Sequence, residues 1–227
     1  MKLKIVSDLH LEWGSIELRN DNDFDVLIFA GDITNDGLKS VRWACRPSVN
    51  HGRPTLFVPG NHEYYREHMQ AVNDGMRRVA HTRSHGLVHV LNPGAVVIDG
   101  VRFLGCTLWT DFELPIADRP DSAQAMAEAS LIMNDFQMIS FKTEGSISRR
   151  VFQPTDAREL HKLDRAWLLE RLKEPFAGRT VVITHHAPTL QSVAEEYRHE
   201  RLSACYASAL PPEFFEVPVL WVHGHMH

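Results

Sequence analysis

The chain has 227 residues, of which 44% are hydrophobic and 23% are charged, so it has enough apolar material for one core and we expect a single domain spanning residues 1–227. Its formal net charge of -5 argues against a broad nucleic-acid-binding surface, because affinity for the phosphate backbone depends on clustered Lys and Arg. No apolar run reaches the ~20 residues of a membrane span, and Asp8 interrupts the first run too early for a signal peptide, so we expect a cytoplasmic protein with no membrane partner.

The first half of the chain alternates between strand and helix patterns. Residues 2–7 alternate in polarity and residues 26–30 form a continuous apolar run, which predicts two strands. The spacing of apolar side chains predicts a helix over residues 37–50, followed by a strand at residues 55–58. A second helix is predicted over residues 63–80. This order is typical of parallel α/β sheets.

Three short strands are predicted next, at residues 88–91, 95–98 and 101–108. The last two are separated by Asp99-Gly100, a dipeptide that favours a tight hairpin turn. We therefore expect these two strands to pair antiparallel.

Residues 110–153 show no clear strand period and are interpreted as an insertion or lid, with a helix over residues 123–135. A better helix is predicted over residues 154–174, and its apolar face is expected to contain Leu160, Leu163, Trp167 and Leu168. Strands are predicted at residues 179–184 and 217–222.

Five of the predicted strands end in polar clusters of similar chemistry. These clusters are Asp8/His10, Asp32, Asn61/His62, His185/His186 and His223/His225/His227. In open α/β sheets, ligands bind just beyond the carboxyl ends of the strands, so we expect the clusters to converge. A single cluster would be explained by a turn, a helix cap or a buried histidine. Five clusters at five strand ends favour a binding site.

The side chains in these clusters offer oxygen and imidazole ligands, and the chain has 14 histidines in all. This chemistry suits Mn, Fe or Zn better than a Cys-rich structural zinc site. One ion would leave several of the groups buried and unpaired, whereas two ions bridged by a carboxylate would satisfy the set. Cys45, Cys106 and Cys205 are widely separated, which is typical of reduced thiols, and we assign them no role.

The order of the motifs is specific. They are Asp8-x-His10, Gly31-Asp32, Gly60-Asn61-His62-Glu63, His185 and Gly224-His225-x-His227. Together they resemble the motif set of the calcineurin-like metallophosphoesterase superfamily, and within it the small bacterial phosphoesterases. The resemblance implies an α/β fold, a four-layer αββα sandwich of two mixed β-sheets flanked by helices, with a dinuclear metal centre at the strand ends.

The resemblance also implies two metal sites that share the carboxylate of Asp32. The first site would use Asp8, His10, Asp32 and His227. The second site would use Asp32, Asn61, His185 and His225. We prefer His185 to His186 as the ligand because it comes first after its strand.

The activity implied by the resemblance is hydrolysis of a small phosphodiester or phosphomonoester. A hydroxide shared by two divalent or trivalent ions would attack phosphorus in line, and His62 would protonate or stabilise the leaving oxygen. The catalytic candidates are therefore Asp32, Asn61 and His62. The alternative is a catalytically silent scaffold of the same fold. A scaffold has no need of the complete ligand set, so we favour the enzyme.

The chain departs from the phosphoprotein phosphatases of the superfamily, which continue the Gly-Asp motif into Asp-Arg-Gly. Here the segment contains Asn35 and Asp36 and has no arginine, which favours a phosphodiesterase over a phosphoprotein phosphatase. Asn35 replaces the expected acid, so the group that orients His62 is either Asp36 or Glu63.

Two further interpretations concern the edges of the site. Four residues either face the pocket or pack in the core, namely Tyr64, Tyr65, Trp109 and Asp111. The resemblance also implies further strand residues after the closing motif, so we expect the chain to be a truncated form. His227, an implied ligand of the first metal, would then lie on a terminus, and we expect that metal to bind weakly.

Overall fold

The computed structural model describes residues 1–16, 18, 23–116, 121–142 and 149–226. Its strands are β1 (Leu3–Val6), β2 (Val26–Phe29), β3 (Thr55–Phe57), β4 (Val88–Val90), β5 (Gly94–Ile98), β6 (Val101–Cys106), β7 (Ser140–Lys142), β8 (Arg149–Val151), β9 (Arg179–Thr184) and β10 (Pro218–Val222). Its helices are α1 (Gly37–Ala44), α2 (Pro47–Asn50), α3 (Met69–Arg83), α4 (Ser122–Ile132), α5 (Asp135–Met138) and α6 (Pro154–Lys173). Short 3₁₀ helices cover His62–Tyr64, Leu190–Ser192, Glu195–Tyr197, Arg201–Cys205 and Pro212–Phe215.

The strands form two four-stranded sheets and one separate two-stranded pair. The first sheet has the order β1-β2-β3-β4, and its described pairs are all parallel. The second has the order β10-β9-β6-β5, with β5 antiparallel to β6 as the Asp99-Gly100 turn predicts. The predicted sandwich of two sheets flanked by helices is confirmed. The first sheet, expected to be mixed, is parallel in the part of the chain that the structure describes.

Strand β2 shows how the layers arise from the alternation of side chains along a strand. Val26 and Ile28 pack in the core between the two sheets, together with apolar residues of β6 and β9. Leu27 and Phe29 point the other way and pack in the core that includes residues of α1 and α3. On the opposite side of the molecule, residues of β6 and β9 pack against α6. The sheets therefore lie face to face between two helical layers.

Two predicted helices differ from the observed ones, and each difference has a local cause. The predicted helix over residues 37–50 is divided into α1 and α2 at Pro47, which lacks a backbone N–H and occupies the first turn of the new helix. The predicted helix over residues 63–80 begins only at Met69. Arg66 adopts a left-handed φ of 63°, which an α-helix does not allow.

The buried face of α6 differs from the predicted one. Leu163 is 66% exposed, whereas Leu168, His161 and Asp164 are buried. The two polar residues hold the backbone at the end of β6, because Asp164 accepts the Leu108 N–H at 2.9 Å and His161 Nδ1 lies 2.8 Å from the Leu108 carbonyl oxygen. Burial raises the pKa of Asp164 to about 7. The apolar pattern alone could not show that polar side chains face the core here.

The predicted insertion over residues 110–153 contains one predicted helix and several unpredicted elements. The helix expected at residues 123–135 is observed as α4. Asp121 caps its N-terminus by accepting the Gln124 N–H at 3.1 Å. The helix α5 and the strand pair β7-β8 were not predicted. Residues 117–120 and 143–148 lie outside the described residues.

Cys45, Cys106 and Cys205 are free thiols. Burial raises the pKa of Cys205 to about 12 and raises that of Cys106 well above its usual value, so neither is an activated thiolate. Within the described ranges, none of the helices has the length and apolar character that crossing a membrane requires.

Candidate active site

The loops that follow β1, β2 and β10 have an unusual backbone at the predicted site residues. Asp8, His10, Asp32 and His225 have φ values of 53°, 44°, 54° and 68°, in the left-handed region. Residues other than glycine rarely adopt this region, at a cost of ~1–3 kcal/mol each, and such residues cluster at functional sites. Four of the predicted ligands therefore lie at strained positions of these loops.

Two glycines allow the loops to approach each other closely. A side chain at Gly31, which has a φ of 93°, would collide with the ring of His185. A side chain at Gly60 would collide with both His185 and Asp32. Glycine is therefore required at both positions for the strand ends to meet around the His185 ring.

One group of possible metal ligands consists of Asp32, His185 and His225, whose ligand atoms lie within 4.8 Å of one another. His185 Nδ1 lies 2.8 Å from the carbonyl oxygen of Ala30, to which it donates its hydrogen. The other ring nitrogen, Nε2, therefore faces Asp32 Oδ2 at 3.4 Å, Asn61 Oδ1 at 3.0 Å and His225 Nδ1 at 3.1 Å.

With its hydrogen on Nδ1, a neutral His185 ring presents a lone pair from Nε2 to the oxygens of Asp32 and Asn61, and a proton or a metal ion between these atoms would relieve their repulsion. Burial alone would lower the pKa of His185, but the Asp32 carboxylate outweighs it and raises that pKa to about 9. Burial would likewise raise the pKa of Asp32, but the charge of His185 holds it well below its usual range. The residues present thus fit a metal ion, which would satisfy the same electrostatic demand.

Asn61 is oriented by hydrogen bonds on the other side of its amide. Its Nδ2 donates to Asp135 Oδ1 at 2.7 Å and to the Tyr65 hydroxyl at 3.2 Å, and that hydroxyl also donates to Asp135 Oδ1 at 2.7 Å. The amide oxygen is therefore left to face His185. Asp135 belongs to the insertion, so this segment contributes to the shape of the site.

The second group consists of His10, Asp32 and His62, again within 4.8 Å. Asp32 belongs to both groups, as its predicted bridging role requires. The Asp8 carboxylate belongs to neither, and it accepts the backbone N–H of His225 at 3.0 and 3.1 Å. The remaining predicted ligand, His227, lies outside the described residues.

His62 is held by Glu12, a residue that the sequence did not single out. His62 Nδ1 lies 3.0 Å from Glu12 Oε1, and His10 Nδ1 lies 3.3 Å from the same oxygen. The backbone N–H of His62 donates to Asp32 Oδ1 at 2.9 Å, and His62 Nε2 lies 4.0 Å from Asp32 Oδ2. The ring packs against that of Tyr65, with centroids 4.3 Å apart.

The two predicted partners of His62 have other roles. Asp36 caps α1 by accepting the Lys39 N–H at 3.0 Å. Glu63 is buried and accepts backbone N–H groups from the loops after β2 and β3. Glu12 follows His10 by two residues, and that proximity is the only signal that the sequence offered.

A cavity of about 280 Å³ opens onto the ligand groups. Its lining includes Asp32, Asn61, His62, Tyr65, Asp135 and His225. Of the four residues predicted to face either the pocket or the core, Tyr65 lines this cavity, whereas Tyr64, Trp109 and Asp111 are buried elsewhere.

His186 and His223 do not join the ligand groups. His186 is buried, and its ring packs on that of His225 with centroids 4.2 Å apart. His223 Nδ1 lies 3.0 Å from the carbonyl oxygen of Gly224, and its side chain lines a different cavity. His185 lies in a candidate ligand group and His186 does not, and His185 stays the predicted ligand.

Residues 1–227 match the family model of the calcineurin-like phosphoesterases. The chain belongs to this family. No curated protein matched the sequence. The solved structure of phosphopantetheinyl hydrolase from Mycobacterium tuberculosis is similar, with a TM-score of 0.63 and 20% identity, and the match covers 100% of this chain and 83% of that chain. At this identity the likeness supports the fold alone.

This membership confirms the predicted family and makes the protein a metal-dependent phosphoesterase. Members of the family typically bind two metal ions, and the phosphoesterase has two groups of candidate ligands that share Asp32. The predicted hydrolase activity is confirmed at this level.

The shared position of Asp32 yields a test of the centre. Asp32→Asn removes a charge from both ligand groups, so we expect it to lower the bound metal per chain and to reduce turnover more than tenfold. The control is Asp36→Asn, in the same loop, because Asp36 caps α1 and belongs to neither group. Metal content by mass spectrometry and turnover are measured for both variants. Unchanged metal content and turnover in Asp32→Asn would exclude Asp32 as a ligand shared by two ions.

Proposed function

We propose that this phosphoesterase hydrolyses a small phosphodiester or phosphomonoester at two metal ions, with phosphodiesters preferred to phosphorylated proteins. The observation that carries the proposal is the position of Asp32 in two ligand groups beside a cavity that His62 also lines. The oxygen and imidazole donors favour Mn, Fe or Zn as the ions. The retention of these donors together with His62 argues against a silent scaffold.

The charge of the cavity favours a diester. Among the described residues that line it there is no Lys or Arg. A phosphomonoester carries a charge of about -1.5 to -2 at neutral pH, whereas a diester carries a single negative charge. Since no Lys or Arg is found among these described lining residues, the bound ions would neutralise most of the charge of the substrate, which is easier for a diester.

The residues of the chain have distinct parts in the proposed reaction. When bound, the two ions stabilise charge on the phosphoryl oxygens and lower the pKa of a water molecule. Asp32 and Asn61 fix the donor set, Asn61 through its bond to Asp135. Glu12 accepts the Nδ1 hydrogen of His62 and balances the charge of a protonated ring, so that Nε2 can donate a proton to the leaving oxygen.

Residues 110–153 are proposed to act as a lid on this cavity. Met133, Asn134 and Asp135 from this segment line it. Because Asp135 also bonds to Asn61, the position of the segment is coupled to the orientation of a proposed ligand.

An activity screen tests the function itself. Nitrophenyl phosphodiesters and monoesters, and phosphopantetheine esters suggested by the name of the structural neighbour, are supplied with Mn, Zn or Fe. We expect metal-dependent hydrolysis with a higher kcat/KM for diesters than for matched monoesters. Hydrolysis of none of these esters with any of the metals would favour the scaffold.

The role of His62 gives a second prediction. His62→Ala is expected to lower turnover by ~10²- to 10⁴-fold for substrates with poor leaving groups, because the proton donor is lost. The loss should be smaller for nitrophenyl esters, whose leaving oxygen needs no proton. The control is His81→Ala, an exposed histidine of α3.

Metal analysis of the same variant separates two roles of His62. Because its ring also lies in the group with His10 and Asp32, it could instead be a metal ligand. Retained metal with a loss that depends on the leaving group supports the acid. Loss of an ion in this variant would show that His62 is a metal ligand. Equal losses of turnover for good and poor leaving groups would exclude His62 as the proton donor.

Glu12 is expected to act through His62. Glu12→Gln should lower turnover by ~10- to 100-fold in the otherwise unchanged enzyme, as removal of an orienting partner typically does. In the His62→Ala background it should have almost no further effect, which a double-mutant cycle measures. Glu67→Gln, at an exposed position, is the control. Additive losses would show that Glu12 acts instead through His10 and the metals.

A further inference from the structure

We propose that a second cavity beside His62 is a subsite for the leaving group, and that Arg66 and Trp13 there select an aromatic leaving group that carries a negative charge. This inference rests on the function proposed above. The cavity has a volume of about 390 Å³. Its lining includes Glu12, Trp13, His62, Tyr65, Arg66 and Asn134.

The position of the subsite follows from the residues that the two cavities share. His62, Tyr65 and Asn134 line both cavities. Asp32 lines only the first of them, and Arg66 lines only the second. His62 is the proposed proton donor to the leaving oxygen, so a substrate whose phosphorus lies near Asp32 would extend its leaving group past His62 into the second cavity.

Trp13 provides an open aromatic face in this cavity. The residue is 85% exposed, although tryptophan is on average highly buried. Its backbone is nevertheless fixed, because its N–H donates to the carbonyl oxygen of His10 at 2.9 Å. An indole on a fixed backbone, with its faces open beside the site, is suited to stack on a flat ring of the substrate.

Arg66 provides the positive charge. It is exposed, it has a left-handed φ of 63°, and its N–H donates to the carbonyl oxygen of Met138 at 2.8 Å. In the part of the chain that the structure describes, the arginines with carboxylate partners are Arg150, Arg171 and Arg201. The guanidinium of Arg66 is thus available to a bidentate anion such as a carboxylate or phosphate.

Glu12 is the acidic residue among the described residues that line this cavity, and its carboxylate already contacts two histidines. Its Oε1 contacts the ring nitrogens of both His10 and His62. Its Oε2 is buried and has no hydrogen-bond partner among the described residues. The anionic part of a substrate should therefore lie toward Arg66 and away from Glu12.

The test compares two methyl phosphodiesters, one of 4-hydroxybenzoate and one of 4-hydroxybenzamide, which are alike in shape and differ in charge. The selectivity is the ratio of kcat/KM for the carboxylate ester to that for the amide ester, so each variant is compared with wild type on both substrates. We expect wild type to prefer the carboxylate. Arg66→Ala should lower the ratio about tenfold, the size of one charge-assisted hydrogen bond.

Three further variants make the result specific. Arg66→Lys should retain part of the preference for the carboxylate ester, because lysine keeps the positive charge but lacks the planar guanidinium. Trp13→Ala should lower kcat/KM for both aryl esters by about the same factor and leave the ratio unchanged, since stacking does not depend on the charge. Arg78→Ala, an exposed arginine of α3 outside both cavities, should leave the ratio unchanged.

The outcomes separate the subsite from the proposed function. Hydrolysis by wild type with no preference for the carboxylate, or with the same ratio in Arg66→Ala, would overturn the subsite alone. Failure of wild type to hydrolyse either ester with any metal would overturn the proposed function, and the subsite with it. Loss of bound metal in Arg66→Ala would show a structural role and also count against the subsite.

Discussion

The buried carboxylate of Glu63 is the interaction on which the site depends. It accepts the N–H of Gly60 at 2.7 Å and those of Asp32 and Ile33 at 2.8 Å, and so ties the loop after β3 to the loop after β2. A buried carboxylate without such donors costs several kcal/mol. The fold is therefore favourable only when both loops present their N–H groups to Glu63, and this fixes Asp32 relative to Asn61.

The same constraint creates an excess of negative charge in the interior. Burial, and then the charge of Asp32, raise the pKa of Glu63, so the two carboxylates repel each other. His185 offsets part of this charge, since its contact with Asp32 lowers the pKa of that carboxyl. Bound cations would offset the rest. The arrangement that makes these side chains good metal ligands therefore also destabilises the folded state when no positive charge is present.

The sequence allowed us to predict which side chains lie at the strand ends, but not which contacts join one loop to another. Asp32 and Asn61 could be placed because the parallel neighbours β2 and β3 bring their carboxyl ends to one edge of the first sheet, and His185 because it follows a strand of the second sheet that ends at the same site. Glu12 could not, because its contact with His62 joins two loops that no periodicity relates. His161 was also missed, since a polar residue on the buried face of α6 looks like an interruption of the apolar pattern.

The left-handed residues at the strand ends are held in place by contacts between loops. Each such residue is held by the neighbouring loop: the N–H groups of Asp8 and His10 donate to the carbonyl oxygens of Gly31 and Asp32 at 3.0 and 3.1 Å. The strain is therefore offset by hydrogen bonds that exist only when the loops are together. A centre fixed in this way has little freedom to adapt to a substrate, so discrimination among substrates must come from side chains at its border, which the sandwich does not constrain.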